Sequence, residues 1–159
     1  MFLLLKLYKI GPYILHRLNV HNAFLHGDLH EEVCMKPRLG FWWLGKHFVC
    51  WLQKSSYGLK QASHNWFEKC SSGLHLVSFK QFYCNYSLFS SIIKSSIYAI
   101  LVHVDDIIIT YNNDLAIKAP KGFLHNCFHI RDLEILKYFL RIEVTRSSKG
   151  IFYLNENLP

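Results

Sequence analysis

Asp105 and Asp106 stand side by side in the middle of SIYAILVHVDDIIITY, residues 96–111. Both flanks are apolar and rich in β-branched residues, which reads as two buried strands. Adjacent carboxylates are costly in such a run. An ionised carboxylate in a low-dielectric site must be paired, bound to metal or pushed to neutrality. A tight turn that presents both carboxylates at the sheet edge resolves the conflict. The chemistry such a pair can do is to hold a hard divalent cation through oxygen ligands. The alternative is a short acidic hairpin turn whose carboxylates are only solvated.

Other reactive side chains make weaker patterns. His16, His21, His26 and His30 form a loose group with Asp28. Only His26 and His30 keep the i, i+4 spacing of a helical ligand pair, and no H-E-x-x-H occurs, so polar loop residues are the favoured reading over a transition-metal site. Trp42 and Trp43 have the chemistry to stack on bases, but stray exposed loop aromatics are the favoured reading. Lys54 and Lys60 suit phosphates or a solvated face equally. Cys70 and Cys127 fall on predicted helices and read as small buried hydrophobes rather than nucleophiles. No Ser-His-Asp or Cys-His constellation has local support.

The elements that must carry these groups follow from periodicity. Tyr13–Val20 reads as a strand, and residues 21–32 as mixed, with a turn at Gly27-Asp28. Residues 37–46 form a Gly/Pro-punctuated loop, and Phe48–Leu52 a short strand. Residues 61–76 place Ala62, Trp66, Phe67, Cys70 and Leu74 near helical spacing, which predicts an amphipathic helix with Trp66 and Phe67 in the core. Phe82–Phe89 reads as a strand and residues 97–111 as a hairpin. Asp114 is the expected N-cap of a helix to Phe128, kinked or shortened by Pro120. Leu136–Val144 and Gly150–Leu154 read as a closing strand pair. The order predicts an α+β fold, a mostly antiparallel sheet with helices packed on one face.

Composition sets the outer bounds. The 159 residues suit one domain or part of a larger protein. Hydrophobic residues make up 51%, enough for a sizeable core. The formal net charge of +7 favours a polyanionic partner such as nucleic acid. Five cysteines, an odd number without C-x-x-C, point to a reduced intracellular protein, cytoplasmic or nuclear, rather than a disulfide framework. The apolar start is interrupted by Lys6 and Lys9 and is too short to span a bilayer, so no membrane partner is expected.

Four blocks, in order, carry a family resemblance: LNVHNAFLHGDLHEEV (18–33), SSYGLKQASHNWF (55–67), HVDDIIIT (103–110) and LKYFLRIEV (136–144). Together they resemble the reverse transcriptase domain of copia-type LTR retrotransposons, part of a Pol polyprotein and abundant in plant genomes. The resemblance implies a right-hand polymerase palm that extends a primer on an RNA or DNA template from deoxynucleoside triphosphates with two Mg²⁺ ions. One metal activates the primer 3′-hydroxyl and the other holds the triphosphate. Carried over residue by residue, Asp105 is the principal metal ligand and Asp106 the supporting one. Val20 offers its backbone carbonyl to a metal, and Val104 packs beneath the turn. Phe24 stacks under the incoming sugar. Tyr57, Gly58 and Lys60 support nucleotide and template. Residues 136–142 match the part that grips the primer backbone.

The chain departs from that pattern at the decisive place. Asn19 stands where the first catalytic aspartate belongs. Asn keeps the shape and loses the charge. Removing a metal ligand costs transition-state stabilisation, and each ~1.4 kcal/mol is about tenfold in rate. Little or no polymerase activity, and partial or lost Mg²⁺ binding, are therefore expected. His103 replaces a Tyr, Asn85 an Asp, Trp51 a basic residue and Ser56 a Leu; Glu134-Ile135 replace a Gly-Pro turn and Arg141 a Gly. Several of these correspond to single base transitions, which points to a decaying genomic copy. Residues 1–12 read as a lead-in replacing the fingers segment, and 13–159 as a truncated palm without thumb or RNase H. The rival readings are a non-catalytic nucleic-acid-binding palm fragment and a poorly folded transposon relic.

Overall fold

The computed structural model describes residues 14–37, 40, 48–93, 96–112, 117–140, 142–147 and 150–155, with 146–147 and 150–155 described by backbone alone. The expectations for the lead-in, Trp42, Trp43, Asp114 and Arg141 lie outside these residues. The elements run β1 (Ile14–Val20), a 3-10 turn (Ala23–His26), β2 (Asp28–Met35), β3 (Cys50–Lys54) and α1 (Ala62–Leu76). Then come β4 (Lys80–Phe82), β5 (Asn85–Ile93), β6 (Ser96–His103), β7 (Asp106–Tyr111) and α2 (Lys118–Phe128). The chain continues through β8 (Ile130–Ile135), β9 (Tyr138–Phe139), β10 (Ile142–Ser147) and β11 (Gly150–Asn155).

Six strands form one sheet in the order β4-β5-β6-β7-β1-β8, antiparallel at every neighbouring pair. The period-2 alternation of side chains sorts its residues onto two faces. Leu18, Val20, Ile100, Val102, Ile107 and Ile109 share one core with Trp66, Cys70 and Leu74 of α1 and Leu124 and Phe128 of α2. Leu15, Leu88, Ala99, Leu101 and Ile108 share a second core with Leu136, Phe139 and Val144. Burial on both faces explains why β6 and β7 read as continuous apolar runs. Both helices thus pack on one face of an antiparallel sheet, as expected for an α+β fold.

The helix over 61–76 begins at Ala62 and buries Ala62, Trp66, Cys70 and Leu74 at every fourth residue. It ends where Ser78 takes φ 65° and the Phe79 amide donates to Leu74 O at 3.1 Å, a left-handed C-terminal stop. Burial pushes the Cys70 thiol up to about 12, so it behaves as an inert hydrophobe. Cys127, expected to be buried, is exposed. The inward stripe of α2 is Pro120, Leu124 and Phe128, and Cys127 falls outside it. Pro120 shortens α2 without breaking it. It is the third residue of the helix, where its missing N–H would have had no intrahelical acceptor. Ile117 holds the N-cap position.

Four strand expectations need correction. Residues 21–32, read as mixed, hold a 3-10 turn and the start of β2, which runs Asp28–Met35. Phe82–Phe89 is not one strand: a two-residue turn at Tyr83-Cys84 separates β4 from β5. Leu136–Val144 is split into β9 and β10 around Leu140, which has φ 51°. β8 was not expected. It is one of the sheet's two edge strands and buries only Ile130 among its six residues, so its sequence carries no apolar alternation.

Asp28 sits where β2 and β3 meet α1. It accepts from Lys54 and, at 2.8 Å, from Lys69. These hydrogen bonds, Lys54's first, hold the Asp28 carboxyl down at about 2 against an ordinary 3.8. The contribution to stability is full above the ordinary value and disappears as pH falls through about 2. At 41% side-chain exposure the network is worth less than about 1 kcal/mol. Asp28→Asn is expected to lower the urea midpoint slightly at pH 6 and distinctly less at pH 2, where the carboxyl is partly protonated, with the difference shrinking in high salt. An equal loss at both pH values would contradict this.

Candidate functional site

The hairpin turn is two residues long, Val104-Asp105, closed by the His103–Asp106 pair. It lies at the end of two central strands rather than at a lateral edge of the sheet. Asp105 occupies the turn and Asp106 is the first residue of β7. Val104 does not pack beneath the turn. It forms the turn's first corner, 41% exposed, with φ 52°. A β-branched residue is strained in that left-handed region.

Trp66 holds the turn from below. Its indole Nε1 donates to Val104 O at 2.5 Å, and its ring meets Phe128 edge-on at a centroid distance of 5.2 Å. From the side, the Val20 amide donates to Asp105 O at 2.7 Å. The strained corner is therefore fixed from β1 and from α1 at once.

Register brings the third residue to the pair. β1 runs antiparallel to β7 with Asn19 opposite Asp106. Asn19 Nδ2 lies 3.3 Å from Asp106 Oδ1 and 3.4 Å from both Asp105 Oδ2 and Asp105 O. These are long, weak hydrogen bonds. With two carboxylates facing it, the amide turns its NH₂ toward them and not its oxygen.

Asp106 has a stronger partner that the sequence did not suggest. Arg17 lies two residues before Asn19, on the same face of β1 by the strand's period. Its Nε donates to Asp106 Oδ1 at 3.1 Å and its Nη2 to Asp106 Oδ2 at 2.8 Å. Its Nη1 donates to Tyr138 O at 3.2 Å. Pairing with this guanidinium satisfies Asp106, so neither a cation nor simple solvation is needed to explain a carboxylate here.

The nucleotide-side candidates fall into one neighbourhood. Phe24, in the 3-10 turn after β1, meets the Tyr57 ring at 4.5 Å and 48°. Gly58 follows with φ 96°, where a side chain would be strained. Lys60 is exposed just ahead of α1. Ser55 and Asn65 buttress this corner: Asn65 Nδ2 donates to Ser55 Oγ at 3.0 Å, and both residues are buried. At the other side of the site, Glu134 takes φ 62°, a conformation suited to the glycine that the resemblance expects. His103 meets Phe139 edge-on at 5.8 Å.

The histidine group does not converge. His16 hydrogen-bonds Tyr111 and Lys121 at 2.9 Å each, whereas His26 packs its ring against Trp66, Phe128 and His129. Asp28 is held by its lysines. Among the described residues, no group of three or more His, Cys, Asp or Glu is placed to hold a metal ion. Nor is any described helix long and apolar enough to cross a membrane.

Do these residues fit a magnesium pair? Mg²⁺ takes oxygen ligands at near-octahedral geometry, from a few carboxylates plus substrate phosphates. Here one of two carboxylates accepts a guanidinium fork on both oxygens, and the third position offers N–H donors. The donor set as it stands does not fit.

The fold is α+β with an aspartate hairpin set against the end of its first strand, and comparison with known proteins gives the family. The family model described as reverse transcriptase (RNA-dependent DNA polymerase) matches residues 1–157, so the chain belongs to that family. It is 39% identical over 140 residues to a retrovirus-related Pol polyprotein from transposon RE2 of Arabidopsis thaliana. That match covers 86% of this chain and 10% of the relative. The corresponding polyprotein from transposon RE1 of the same plant is 37% identical, covering 86% of this chain and 9% of its own length. The one from transposon TNT 1-94 of Nicotiana tabacum is 37% identical over 134 residues, covering 82% of this chain and 10% of its own. The chain thus spans about a tenth of the length of these curated relatives. No solved structure gives a significant match.

Proposed function

We propose that this chain is the palm portion of a copia-type reverse transcriptase domain. Asn19, Asp105 and Asp106 would form the end of the palm that faces the primer terminus. The observation that carries the reading is the register of β1 on β7, which sets Asn19 within 3.3–3.4 Å of both carboxylates. A residue in that place is where a third carboxylate would complete an oxygen-ligand set. Phe24 and Tyr57 would line the nucleotide side, with Val20 beside the turn and Gly58 and Lys60 toward the template. The partners would be an RNA or DNA template-primer and a deoxynucleoside triphosphate, and the wider setting a Pol polyprotein.

In this reading the protein positions nucleic acid and does not turn over efficiently. Asn19 cannot lend charge, and the Mg²⁺ ions that the family resemblance implies would bind weakly or not at all. Primer extension on an RNA template with Mg²⁺ tests this, comparing the chain as written with Asn19→Asp. The variant is expected to be faster by about tenfold or more, since each ~1.4 kcal/mol regained is a factor of ten. Equal, measurable rates would remove the role given to Asn19. A non-catalytic binding role draws on the net charge of +7. It predicts template-primer binding that weakens steeply with salt as counterions are released; no binding even at low salt would sink the nucleic-acid reading in both forms.

A further inference from the structure

Asn19 is not the sole obstacle to a cation at this site. We propose that Arg17 is a built-in counter-cation of the aspartate pair, occupying the oxygens Asp106 would have to offer a divalent ion, so that a carboxylate restored at position 19 recovers only part of the cation binding while Arg17 stays in place. The proposal rests on reading Asp105 and Asp106 as the cation-holding end of a palm.

Three features of the geometry support it. First, the fork is complete: Nε and Nη2 take one oxygen each, at 3.1 and 2.8 Å. A bidentate guanidinium–carboxylate pair is among the stronger charge-assisted contacts. Second, the guanidinium is tethered independently of Asp106. Nη1 donates to Tyr138 O at 3.2 Å, so Arg17 is held at the site from β9 as well as β7. Third, the pair is partly screened from water, at 31% side-chain exposure for Arg17 and 16% for Asp106. An arriving cation would have to break both guanidinium bonds and compete with a charge that stays tethered nearby.

The local charge makes the same argument. As written, Arg17, Asn19, Asp105 and Asp106 carry one net negative charge. Restoring Asp at position 19 adds a second. Only when Arg17 is neutralised as well do three uncompensated carboxylates face one another, and that is an arrangement that demands a cation.

Binding of Mn²⁺ alone, followed by the loss of its free EPR signal, separates the possibilities. Four forms are compared: the chain as written, Asn19→Asp, Asn19→Asp/Arg17→Gln, and a control with Asp105→Asn and Asp106→Asn. The double variant is expected to bind at least about tenfold more tightly than Asn19→Asp, because hydrogen bonds to charged groups are worth about that much. If Asn19→Asp alone binds as tightly as the double variant, the role of Arg17 is overturned while the cation-site reading survives. If neither binds above the control, that reading fails and takes this proposal with it. Should Arg17→Gln fail to fold, Asn19→Asp/Arg17→Lys serves instead. Lys keeps the stem and a cation on β1 but cannot fork both oxygens. It is expected to bind Mn²⁺ more tightly than Asn19→Asp, and equality between the two would overturn the proposal.

Discussion

Trp66→Ala is expected to destabilise the protein by about 3–5 kcal/mol, the usual range for deleting a large buried aromatic. Trp66 is 1% exposed and sits in the core between sheet and helices. Truncation would leave a cavity against Phe128 and strip Val104 O of its indole donor. Domains of this size are stable by only about 5–15 kcal/mol, so the loss would be a large share of the total. Urea unfolding measures it. Trp66→Phe separates packing from hydrogen bonding. It keeps an aromatic ring but not the Nε1–H, and is expected to cost about 1–3 kcal/mol. Its distinctive signature would be local. The Val20 amide, bonded to Asp105 O, should exchange with solvent faster once the strained Val104 corner loses its tether. Unchanged exchange at Val20 in Trp66→Phe would show that the indole does not position the turn.

Gly27→Ala is the second large effect, and its cause is space rather than torsion. Gly27 has φ –69°, which any residue adopts. A Cβ there would lie 2.8 Å from the Trp66 amide nitrogen and 3.0 Å from the Asn65 carbonyl carbon and Cβ. Most of those atoms are helix backbone, which cannot swing aside like a side-chain tip. Relief requires the β1–β2 connection to move away from α1. The same connection holds Gly27 O, which accepts from the Ser55 amide at 3.0 Å, and neighbours the Phe24–Tyr57 pair. Overpacking of this kind costs about 1–3 kcal/mol, or roughly 2–10 °C in Tm for a chain of this length. A thermal midpoint unchanged by Gly27→Ala would mean that the loop and helix part freely, and that the nucleotide-side corner is not rigidly seated.

The segments most legible in the sequence are those whose side chains are sorted by burial. β1, α1 and the β6–β7 hairpin were readable because the core needs apolar residues at period two, at every fourth position or, in strands buried on both faces, in unbroken runs, and that demand is written locally. The same logic placed Trp66 and Cys70 inside. It failed at β8, an edge strand whose exposed residues R-D-L-E-I need no pattern, and at Cys127, where one helical step decides between inside and outside.

The site divides along the same line. The sequence by itself determined that two carboxylates interrupt a buried hairpin, and that an asparagine stands in the block where the family pattern has a third. Those are facts of residue type and order, and no packing is needed to read them. Only the tertiary structure decided what the carboxylates do in the absence of that third charge. Arg17 and Asp106 are 89 residues apart in the chain. They meet because antiparallel register sets Asn19 opposite Asp106 and the strand's period puts Arg17 on the same face, one pleat away. No local signal in either segment encodes that pairing, because register is fixed by how whole strands bury their apolar faces against each other.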